Sequence, residues 1–554
     1  MKNNRRDFFK KIGVGTAGIG LASSIPFTSC ASASPEETKT DEQFLQIGDD
    51  IAIANTNSGK VRGYILNGVY TYLGIPYGAD TSGKNRFMPP QKPAPWSDVK
   101  PTLWWGNTAP QIMDNRYANV DYSFADHWNY DDLSEDCLRL NVWTPQIADG
   151  KKRPVMFWLH GGGFTNGNAF EQDGYHGENL SKKGDVVFVS INHRLGPLGF
   201  TDLSGVGGEK YAASCNVSQL DVIAALEWVR DNISNFGGDP GNVTIMGQSG
   251  GGAKVTCTMA MPASKDLVNK GVALSGSMLV ANEQSYSQKL GQFVMEEAGL
   301  TPATLDQLQD LSWRAYIDVA NAALARMRKE NPTPGFRGGF GPVADGVHIP
   351  KGEFFTETAA HAAEMPLMIC TTFHEWNPTR TSPELEKIDF PGVAEKIKER
   401  FGDQSEAIIA AYREDFPEAS PADIWAMIMS NRQNAIKAAN AKSSQSAPVY
   451  LAWFGWEPNL YSGRMKAFHC IDICFWYANT DRMYTHTGGG SRPRSLSEEM
   501  STALISFMKT GDPNGSKLPS WPKYSSENGE TMILNDQSLL KNKPDGKGLA
   551  SLPA

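Results

Sequence analysis

The sequence predicts an α/β domain in which a mostly parallel central sheet is flanked by helices. The main observation is a series of continuous apolar runs of strand length, because strands covered on both faces lack polar alternation. These runs lie at 155–159, 186–191, 243–247, 271–275, 366–371 and 449–454. Residues 218–236, between two of the runs, carry apolar side chains at helical spacing. Alternation of strands with helices is typical of parallel sheets, and 554 residues suffice for one large domain with insertions.

Two long helix-rich stretches, 286–331 and 393–441, interrupt the series of strands. We expect them to be helical insertions packed over one edge of the sheet. A third stretch, 103–130, is dense in Trp and Tyr. It either lines a gorge over a functional site or packs as a surface loop, and the sequence leaves both interpretations open.

The N-terminus resembles an export signal rather than part of the fold. Arg5 and Arg6 precede a mildly apolar, glycine-rich run at 12–27, as in twin-arginine signals. This run is short for a helix that crosses a bilayer. The sequence therefore predicts an export signal at 1–33 and an exported protein, either periplasmic or anchored to a membrane facing the periplasm or the exterior.

Two outcomes of signal processing stay open. The small residues at 31–33 fit ordinary cleavage, whereas Cys30 and the residues before it loosely resemble a lipid-attachment site. In the second case Cys30 carries a lipid anchor. Residues 34–50 are polar and predict a linker, so that the folded domain spans 51–554.

Charge and cysteine content limit the partners that we expect. The net charge of −9 disfavours nucleic acid, since phosphate binding needs a basic face. No cluster of side chains has a metal-binding spacing, so we expect neither a metal nor another cofactor. Apart from Cys30, the cysteines are scattered, which predicts buried thiols rather than a disulfide framework. They are Cys137, Cys215, Cys257, Cys370, Cys470 and Cys474. The oligomeric state stays open.

A Gly-X-Ser-X-Gly pattern at 247–251 makes Ser249 the first candidate for chemistry. Such a pattern arises by chance in a chain with 54 glycines, so its context matters. Ser249 closely follows the apolar run 243–247 and precedes a stretch of helical character. A serine on a sharp strand-to-helix turn points its hydroxyl outward, next to a helix N-terminus that favours negative charge. This context indicates a nucleophile.

Three consecutive glycines, 161–163, directly follow the apolar run 155–159 and His160. Consecutive glycines cost conformational entropy and pack no side chain, so they should have a use. They let backbone N–H groups point into a cavity, as stabilisation of an oxyanion requires. We predict that the N–H groups of Gly162, Gly163 and Gly250 form an oxyanion hole, and the alternative is a flexible turn.

Further motifs occur in order along the chain. They are "GIPYG" (74–78), "RFMPP" (86–90), "EDCLRLNVWTP" (135–145), "FGGDPGNVTIMGQSGGGAK" (236–254), "GPVADG" (341–346), "TGDPNG" (510–515) and "WPKY" (521–524). Together they resemble the type-B carboxylesterase and cholinesterase family, which has the α/β-hydrolase fold, over about residues 52–535. The chain departs from the family at Arg139, where an aromatic residue or Thr is usual, and at Gln248 and Gly250, where Glu and Ala are commoner. Cys137 lacks the upstream cysteine that pairs with it in animal members.

The resemblance implies the remaining site residues. In this fold the nucleophile, the acid and the histidine occur in that chain order. His469 follows the last clear apolar run by a loop, where the fold presents its base, and "CTTFHEW" (370–376) resembles the stretch that carries the acid, Glu375. Asp345 is the alternative acid and is otherwise a turn-forming residue. Ser275 resembles a serine that supports the acid and the base.

The resemblance therefore implies a serine esterase that acts on small-molecule esters through an acyl-enzyme. Ser249 would attack the ester carbonyl as His469 takes its proton, and Glu375 would orient and stabilise His469. Hydrolysis of amides or lactones, or transacylation, on the same three residues is the alternative. A catalytically silent binding protein on this fold is less favoured, because all three residue types of the triad are present.

Overall fold

The computed structural model describes residues 43–112, 124, 129, 132–331 and 338–553. In chain order its strands are β1 Leu45–Gln46, β2 Ile53–Thr56, β3 Gly59–Arg62, β4 Tyr64–Leu66, β5 Val69–Pro76, β6 Lys100–Pro101, β7 Arg139–Thr144, β8 Arg153–Leu159, β9 Val187–Ile191, β10 Gly238–Gln248, β11 Lys270–Leu274, β12 Asn282–Glu283, β13 Val343–Ala344, β14 Leu367–Thr372, β15 Val449–Phe454, β16 Glu530–Leu534 and β17 Leu539–Asn542.

The α-helices of the described residues pack around these strands. In chain order they are α1 Glu178–Gly184, α2 Gly196–Phe200, α3 Ser204–Gly207, α4 Val217–Asn232, α5 Gly250–Ala260, α6 Gln284–Glu297, α7 Trp313–Glu330, α8 Phe390–Phe401, α9 Ser405–Asp415, α10 Pro421–Ile428, α11 Arg432–Ser443, α12 Ile473–Trp476, α13 Tyr484–Thr487, α14 Ser491–Thr510 and α15 Gly546–Ser551.

The central sheet has the strand order β1-β4-β5-β7-β9-β8-β10-β11-β14-β15-β16-β17. Its middle, from β9 to β16, is entirely parallel, and the strands on both flanks are antiparallel. The six predicted apolar runs all lie in the parallel part, and residues of these strands are buried on both faces. The predicted α/β class with a mostly parallel sheet is therefore confirmed.

The helical predictions are also confirmed, with one difference in placement. The segment 218–236 contains α4, the stretch 286–331 forms α6 and α7, and the stretch 393–441 forms α8 to α11. The second insertion packs against Trp453 and Ile533 at one end of the sheet. The first packs instead on residues of loops and short helices, among them Phe87 and Phe200, because its apolar faces meet each other and these loops rather than a sheet edge.

The fold begins earlier than the sequence predicted. Leu45 and Gln46 pair with Leu66 and Ile65 at the edge of the sheet, so the predicted linker 34–50 is too long at its C-terminal end. Residues 44–554 form one compact unit. The predicted export signal, Cys30 and most of the linker lie outside the described residues. Within the described ranges, no helix combines the length and hydropathy that a bilayer crossing requires.

Candidate active site

Ser249 sits between the end of β10 and the start of α5. Its backbone has φ 57° and ψ −123°, a region that serine rarely adopts and that costs conformational free energy. Its N–H donates to the carbonyl of Leu274 on β11 at 2.7 Å. The strand, the helix and the neighbouring strand therefore hold Ser249 in the strained turn that the sequence predicted.

A cavity of about 470 Å³ opens at this turn. Gly162, Gly163, Ser249, Glu375 and His469 all contribute to its lining. Residues from the segments that follow four parallel strands, β8, β10, β14 and β15, thus meet beyond the carboxyl edge of the sheet, where open α/β sheets bind their ligands. All three predicted triad residues and two of the three predicted oxyanion glycines border this one cavity.

Glu375 and His469 form a buried hydrogen-bonded pair. His469 Nδ1 donates to Glu375 Oε2, and the backbone N–H of His469 donates to the Glu375 carbonyl at 3.1 Å. Glu375 Oε1 accepts from the backbone N–H of Thr372 at 2.9 Å. Because the carboxylate fixes the proton on Nδ1, Nε2 is left as the basic atom.

The electrostatic surroundings of His469 favour its protonated form. Burial alone lowers the pKa of this imidazole, but the charges of Cys470 and Glu375 and their hydrogen bonds outweigh burial and raise the pKa well above its usual value. The ring of Trp376 lies against the imidazole, with ring centroids 4.3 Å apart. An aromatic face beside an imidazole also suits the positive charge that the ring takes up as a base.

Gln248 contacts the basic nitrogen of His469. Its amide nitrogen lies 3.1 Å from His469 Nε2, and its Oε1 accepts from the thiol of Cys470 at 3.3 Å. Among the described residues, His469 makes no hydrogen bond to Ser249. The sequence identified Gln248 as a departure from the family but not as a partner of the histidine.

The three glycines predicted to bind an oxyanion leave their N–H groups available. Gly162 and Gly163 have φ of 76° and 63°, which glycine adopts without the penalty of a side chain. In the described part of the chain, the N–H groups of Gly162, Gly163 and Gly250 donate to no other group. Gly162 and Gly163 border the cavity next to Ser249, and Gly250 is the first residue of α5.

The departure at Gly250 has a steric reason. A Cβ at this position would lie 2.0 Å from the Gly163 carbonyl oxygen and 2.4 Å from the Gly163 Cα. Only glycine allows the glycine turn and the first turn of α5 to approach this closely.

Two predicted positions have other surroundings. Ser275 is buried, and its hydroxyl has no hydrogen-bond partner among the described residues. Its hydroxyl therefore makes no hydrogen bond to Glu375 or His469 among these residues. Its N–H donates to the Cys370 carbonyl. Asp345 accepts from His348 Nδ1 at 2.7 Å and from the N–H groups of a turn, and it does not line the cavity of Ser249.

A second cavity of about 510 Å³ shares Gly163 of the glycine turn with the first. Its apolar lining includes Phe164, Ile317, Leu324 and Phe340. Residues 110–112 of the predicted aromatic stretch also contribute, while most of 113–130 falls outside the described residues. Across the described ranges, no group of three potential ligand side chains could hold a metal ion.

Similar proteins agree with this architecture. The para-nitrobenzyl esterase of Bacillus subtilis (strain 168) is 32% identical over 508 residues, which cover 89% of this chain and 97% of that protein. The phenmedipham hydrolase of Pseudarthrobacter oxydans is 28% identical over 496 residues, which cover 88% of this chain and 95% of that protein.

Solved structures confirm the α/β-hydrolase fold. A carboxylesterase of Geobacillus stearothermophilus superposes with a TM-score of 0.73 at 32% identity, over 91% of this chain and all of that one (100%). An esterase from Clostridium hathewayi, described as able to hydrolyse aliphatic aromatic polyesters, gives a TM-score of 0.75 at 31% identity over 91% of this chain and 98% of that chain. Residues 50–550 match the model of the carboxylesterase family. The chain therefore belongs to the carboxylesterase family and is a serine hydrolase that cleaves carboxylic esters.

Proposed function

We propose that Ser249, His469 and Glu375 are the nucleophile, base and acid of this hydrolase. The observation that carries the proposal is the convergence of a strained serine, a buried carboxylate–imidazole pair and available N–H donors at one cavity. Each group suits its role, because a weak hydroxyl nucleophile needs a base, and the base needs an orienting carboxylate.

The reaction has two halves. Ser249 Oγ attacks the carbonyl carbon while its proton passes to His469 Nε2, and the resulting oxyanion accepts hydrogen bonds from Gly162, Gly163 and Gly250. His469 then gives the proton to the departing alcohol oxygen, which leaves an acyl group on Ser249. A water molecule, deprotonated by His469, releases the acid in the same way.

The contact between Gln248 and His469 describes a resting arrangement of this site. The amide occupies the lone pair of Nε2 that must accept the serine proton. We infer that this hydrogen bond breaks when substrate binds, and that Nε2 then faces Ser249. Catalytic hydrogen bonds often tighten only in the substrate complex.

The two cavities suggest the substrate class. An ester has two arms, and Gly163 lies where the cavities of about 470 Å³ and 510 Å³ meet. We infer that one arm occupies the pocket beside Trp376 and that an apolar or aromatic arm occupies the larger pocket lined by Phe164 and Leu324. Among the relatives, one is named for para-nitrobenzyl esters and another for phenmedipham, which supports aromatic small-molecule esters as substrates.

Labelling and a substrate series test the assignment. A fluorophosphonate should add its phosphonyl group to the peptide that contains Ser249, and Ser249→Ala should abolish labelling while the far-ultraviolet circular dichroism stays that of the wild type. Labelling of another residue would contradict the nucleophile assignment. Leu324→Trp should slow p-nitrophenyl acetate, whose aromatic arm would occupy the larger pocket, and leave methyl acetate almost unchanged, and equal slowing of both would contradict the pocket assignment.

We also infer that residues 1–33 direct export, because Arg5 and Arg6 precede a mildly apolar run. Changing both arginines to lysine should leave active enzyme in the cytoplasm, and unchanged export would favour an ordinary secretory signal. Cys30→Ala then separates the two processing outcomes. A shift from the membrane fraction to the soluble periplasm indicates lipidation, whereas an unchanged distribution indicates cleavage near Ala33.

A further inference from the structure

Lys254 is a buried lysine in the second turn of α5, five residues after Ser249. Its side chain is completely buried. Its Nζ donates to the carbonyl of His160 at 3.0 Å, its single hydrogen bond among the described residues. The same Nζ lies 5.9 Å from the ring centroid of Phe164. The amine therefore lies near the residue that precedes the glycine turn 161–163 and near the side chain of the residue that follows it.

We propose that Lys254 is a positioning residue for the reaction of Ser249, which holds the glycine turn against helix α5 and places a positive charge behind the oxyanion. This inference rests on the proposed roles of Ser249 and of the glycine N–H groups. It adds a residue that touches neither substrate nor oxyanion but fixes the donors that do.

Ser249 directly precedes helix α5, and Lys254 lies in its second turn. Its first turn packs directly on the end of β8, because a Cβ at Gly251 would lie 2.1 Å from the Leu159 carbonyl oxygen. Lys254 Nζ, on the second turn of α5, donates to the carbonyl of His160, the residue after Leu159. One helix thereby fixes the distance between Ser249 and the turn that carries Gly162 and Gly163.

Burial of Lys254 costs more desolvation free energy than a merely structural residue at this position would need. A buried ammonium group offers three donors, and here one acceptor is present, so the desolvation cost is poorly compensated. Burial lowers the pKa of Lys254 to about 7, against the opposing charge of Glu171. The stacked rings of His160 and His193, 4.8 Å apart, supply no negative charge. An apolar side chain of the same length would satisfy packing at lower cost.

A positive charge on Lys254 would stabilise the atom that becomes negative in the reaction, the ester carbonyl oxygen. An ester carbonyl is neutral in the ground state, and its oxygen becomes negative only as Ser249 attacks. A positive charge on Lys254, which the protonated amine carries below its pKa of about 7, therefore stabilises the transition state more than the bound substrate in a site of low dielectric constant. Removal of the charge should lower kcat and leave KM almost unchanged.

Lys442 offers a matched control. It is also completely buried, and burial lowers its pKa to about 8. Its Nζ, however, donates to two acceptors, the Ala362 carbonyl at 2.7 Å and Gln445 Oε1 at 2.6 Å. It lies on α11 and lines neither of the cavities next to the glycine turn.

The test compares Lys254→Met with Lys442→Met in the full-length protein. We expect Lys254→Met to lower kcat for p-nitrophenyl acetate by about tenfold to a hundredfold, below the roughly 100- to 1000-fold loss expected for a missing oxyanion donor. KM should stay within about twofold, and Tm should stay equal or rise. Lys442→Met should lower Tm and leave kcat unchanged.

An inhibitor that forms the tetrahedral adduct gives a second readout. A trifluoromethyl ketone should lose affinity for Lys254→Met by about the same factor as kcat, because its adduct also carries an oxyanion. An unchanged kcat, or a rise in KM alone, would overturn the proposal. Where Lys254→Met does not fold, Lys254→Gln replaces it, and failure of both to fold assigns Lys254 a structural role and also overturns the proposal. Ser249→Ala, assayed in parallel, distinguishes these outcomes from a wrong nucleophile, since it would then retain activity.

Discussion

On one side of the cavity, Ser249 and the glycines around it lie in turns that leave no room for further side chains, whereas on the other side Glu375 and His469 lie in two loops that backbone bonds and side-chain contacts hold together. Ser249 follows a strand in a strained conformation, and Gly250 meets the Gly163 backbone without room for a Cβ. On this nucleophile side, the positions depend on which residues lack a side chain.

The acid–base side consists of loops after β14 and β15. The isolated bridge between His374 and Phe468 joins the two loops directly. A cluster of charged groups surrounds this bridge: His374 Nε2 lies 3.4 Å from Asp423 Oδ1, and Lys466 Nζ lies 3.3 Å from the same oxygen. Lys466 Nζ also lies 3.4 Å from Glu457. Here a backbone bridge and several side chains hold the two loops together, and each contact contributes a part.

The difference predicts two patterns of tolerance to mutation. On the nucleophile side, adding one methyl group should displace the backbone that carries the reacting groups. On the acid–base side, outer substitutions should have graded effects, because several contacts hold each loop. Removal of the reacting atoms on either side should nevertheless lower kcat by the same factor, since Ser249 and His469 act in one step.

The largest effect is expected for the reacting side chains themselves. Ser249→Ala and His469→Ala should each lower kcat by about a millionfold, and the double variant should be no worse than either single one. The reason is that nucleophile and base transfer one proton together. Kinetics with p-nitrophenyl acetate measure all three variants, and multiplicative losses would show that the two sides act independently.

Glu375→Gln should have the next largest effect, a loss of about ten-thousandfold in kcat. The amide no longer stabilises the imidazolium and can leave the proton on the wrong nitrogen of His469. Asp345→Asn is the matched control, because Asp345 was the alternative acid and lies in a turn. It should retain its kcat, and the reverse result would assign the acid role to Asp345.

Much of the nucleophile side could be predicted from the sequence, because backbone requirements appear as local patterns. The three glycines at 161–163 closely follow one apolar run and Ser249 closely follows another, so each pattern is local and has a direct physical meaning. The strands of the parallel middle were predicted for the same reason, since strands buried on both faces are continuously apolar. The edge strand at 45–46 was missed because an exposed, two-residue strand has no such pattern.

The acid–base side required the resemblance to a family, because its partners lie far apart in the chain. Glu375 and His469 are separated by 94 residues, and nothing local in either segment identifies the pair. The contacts of Trp376 and Gln248 with His469 could not be foreseen, since they depend on how two loops and the end of β10 meet. Lys254 is the last residue of the motif at 236–254, yet only its burial and its contact with His160 indicate a role for it.

The close approach at Gly250 gives a sharper test of the comparison. Gly250→Ala should lower kcat by about tenfold to a hundredfold, because the new Cβ would displace the Gly163 backbone and its N–H donor. Gly150→Ala is the control: its φ of 71° is strained for alanine, but a Cβ there meets no atom within 4 Å and the residue lies outside the cavity of Ser249. It should lower Tm and leave kcat unchanged. Equal kcat in wild type and Gly250→Ala would show that the turn adapts.

Asp472 tests the acid–base side at its outer limit. This carboxyl group is fully buried three residues after His469, and its Oδ2 accepts from the Trp476 indole at 3.3 Å. Burial, and after it the charge of Glu375, raises the pKa of Asp472 to about 7, while the charge of His469 opposes the rise. Because the interaction is mutual, an ionised Asp472 must raise the pKa of His469 in turn.

Asp472→Asn should therefore have the smallest effect on rate, and its signature should be the pH dependence. Activity needs neutral His469 and falls as the pH drops below its raised pKa, so removing a nearby negative charge should move this acid limb of kcat/KM to lower pH, by less than about one unit. The pH dependence of protein stability gives a second signature of the Asp472→Asn change. A carboxyl group whose pKa is raised from 3.8 to about 7 on folding stabilises the protein fully below pH 3.8, and this contribution is lost as the pH rises to about 7. Asparagine has no such loss, so the Tm of Asp472→Asn relative to wild type should increase between pH 4 and pH 7 and then level off. An acid limb that stays in place together with a constant difference in Tm would show that Asp472 does not share the electrostatics of the site.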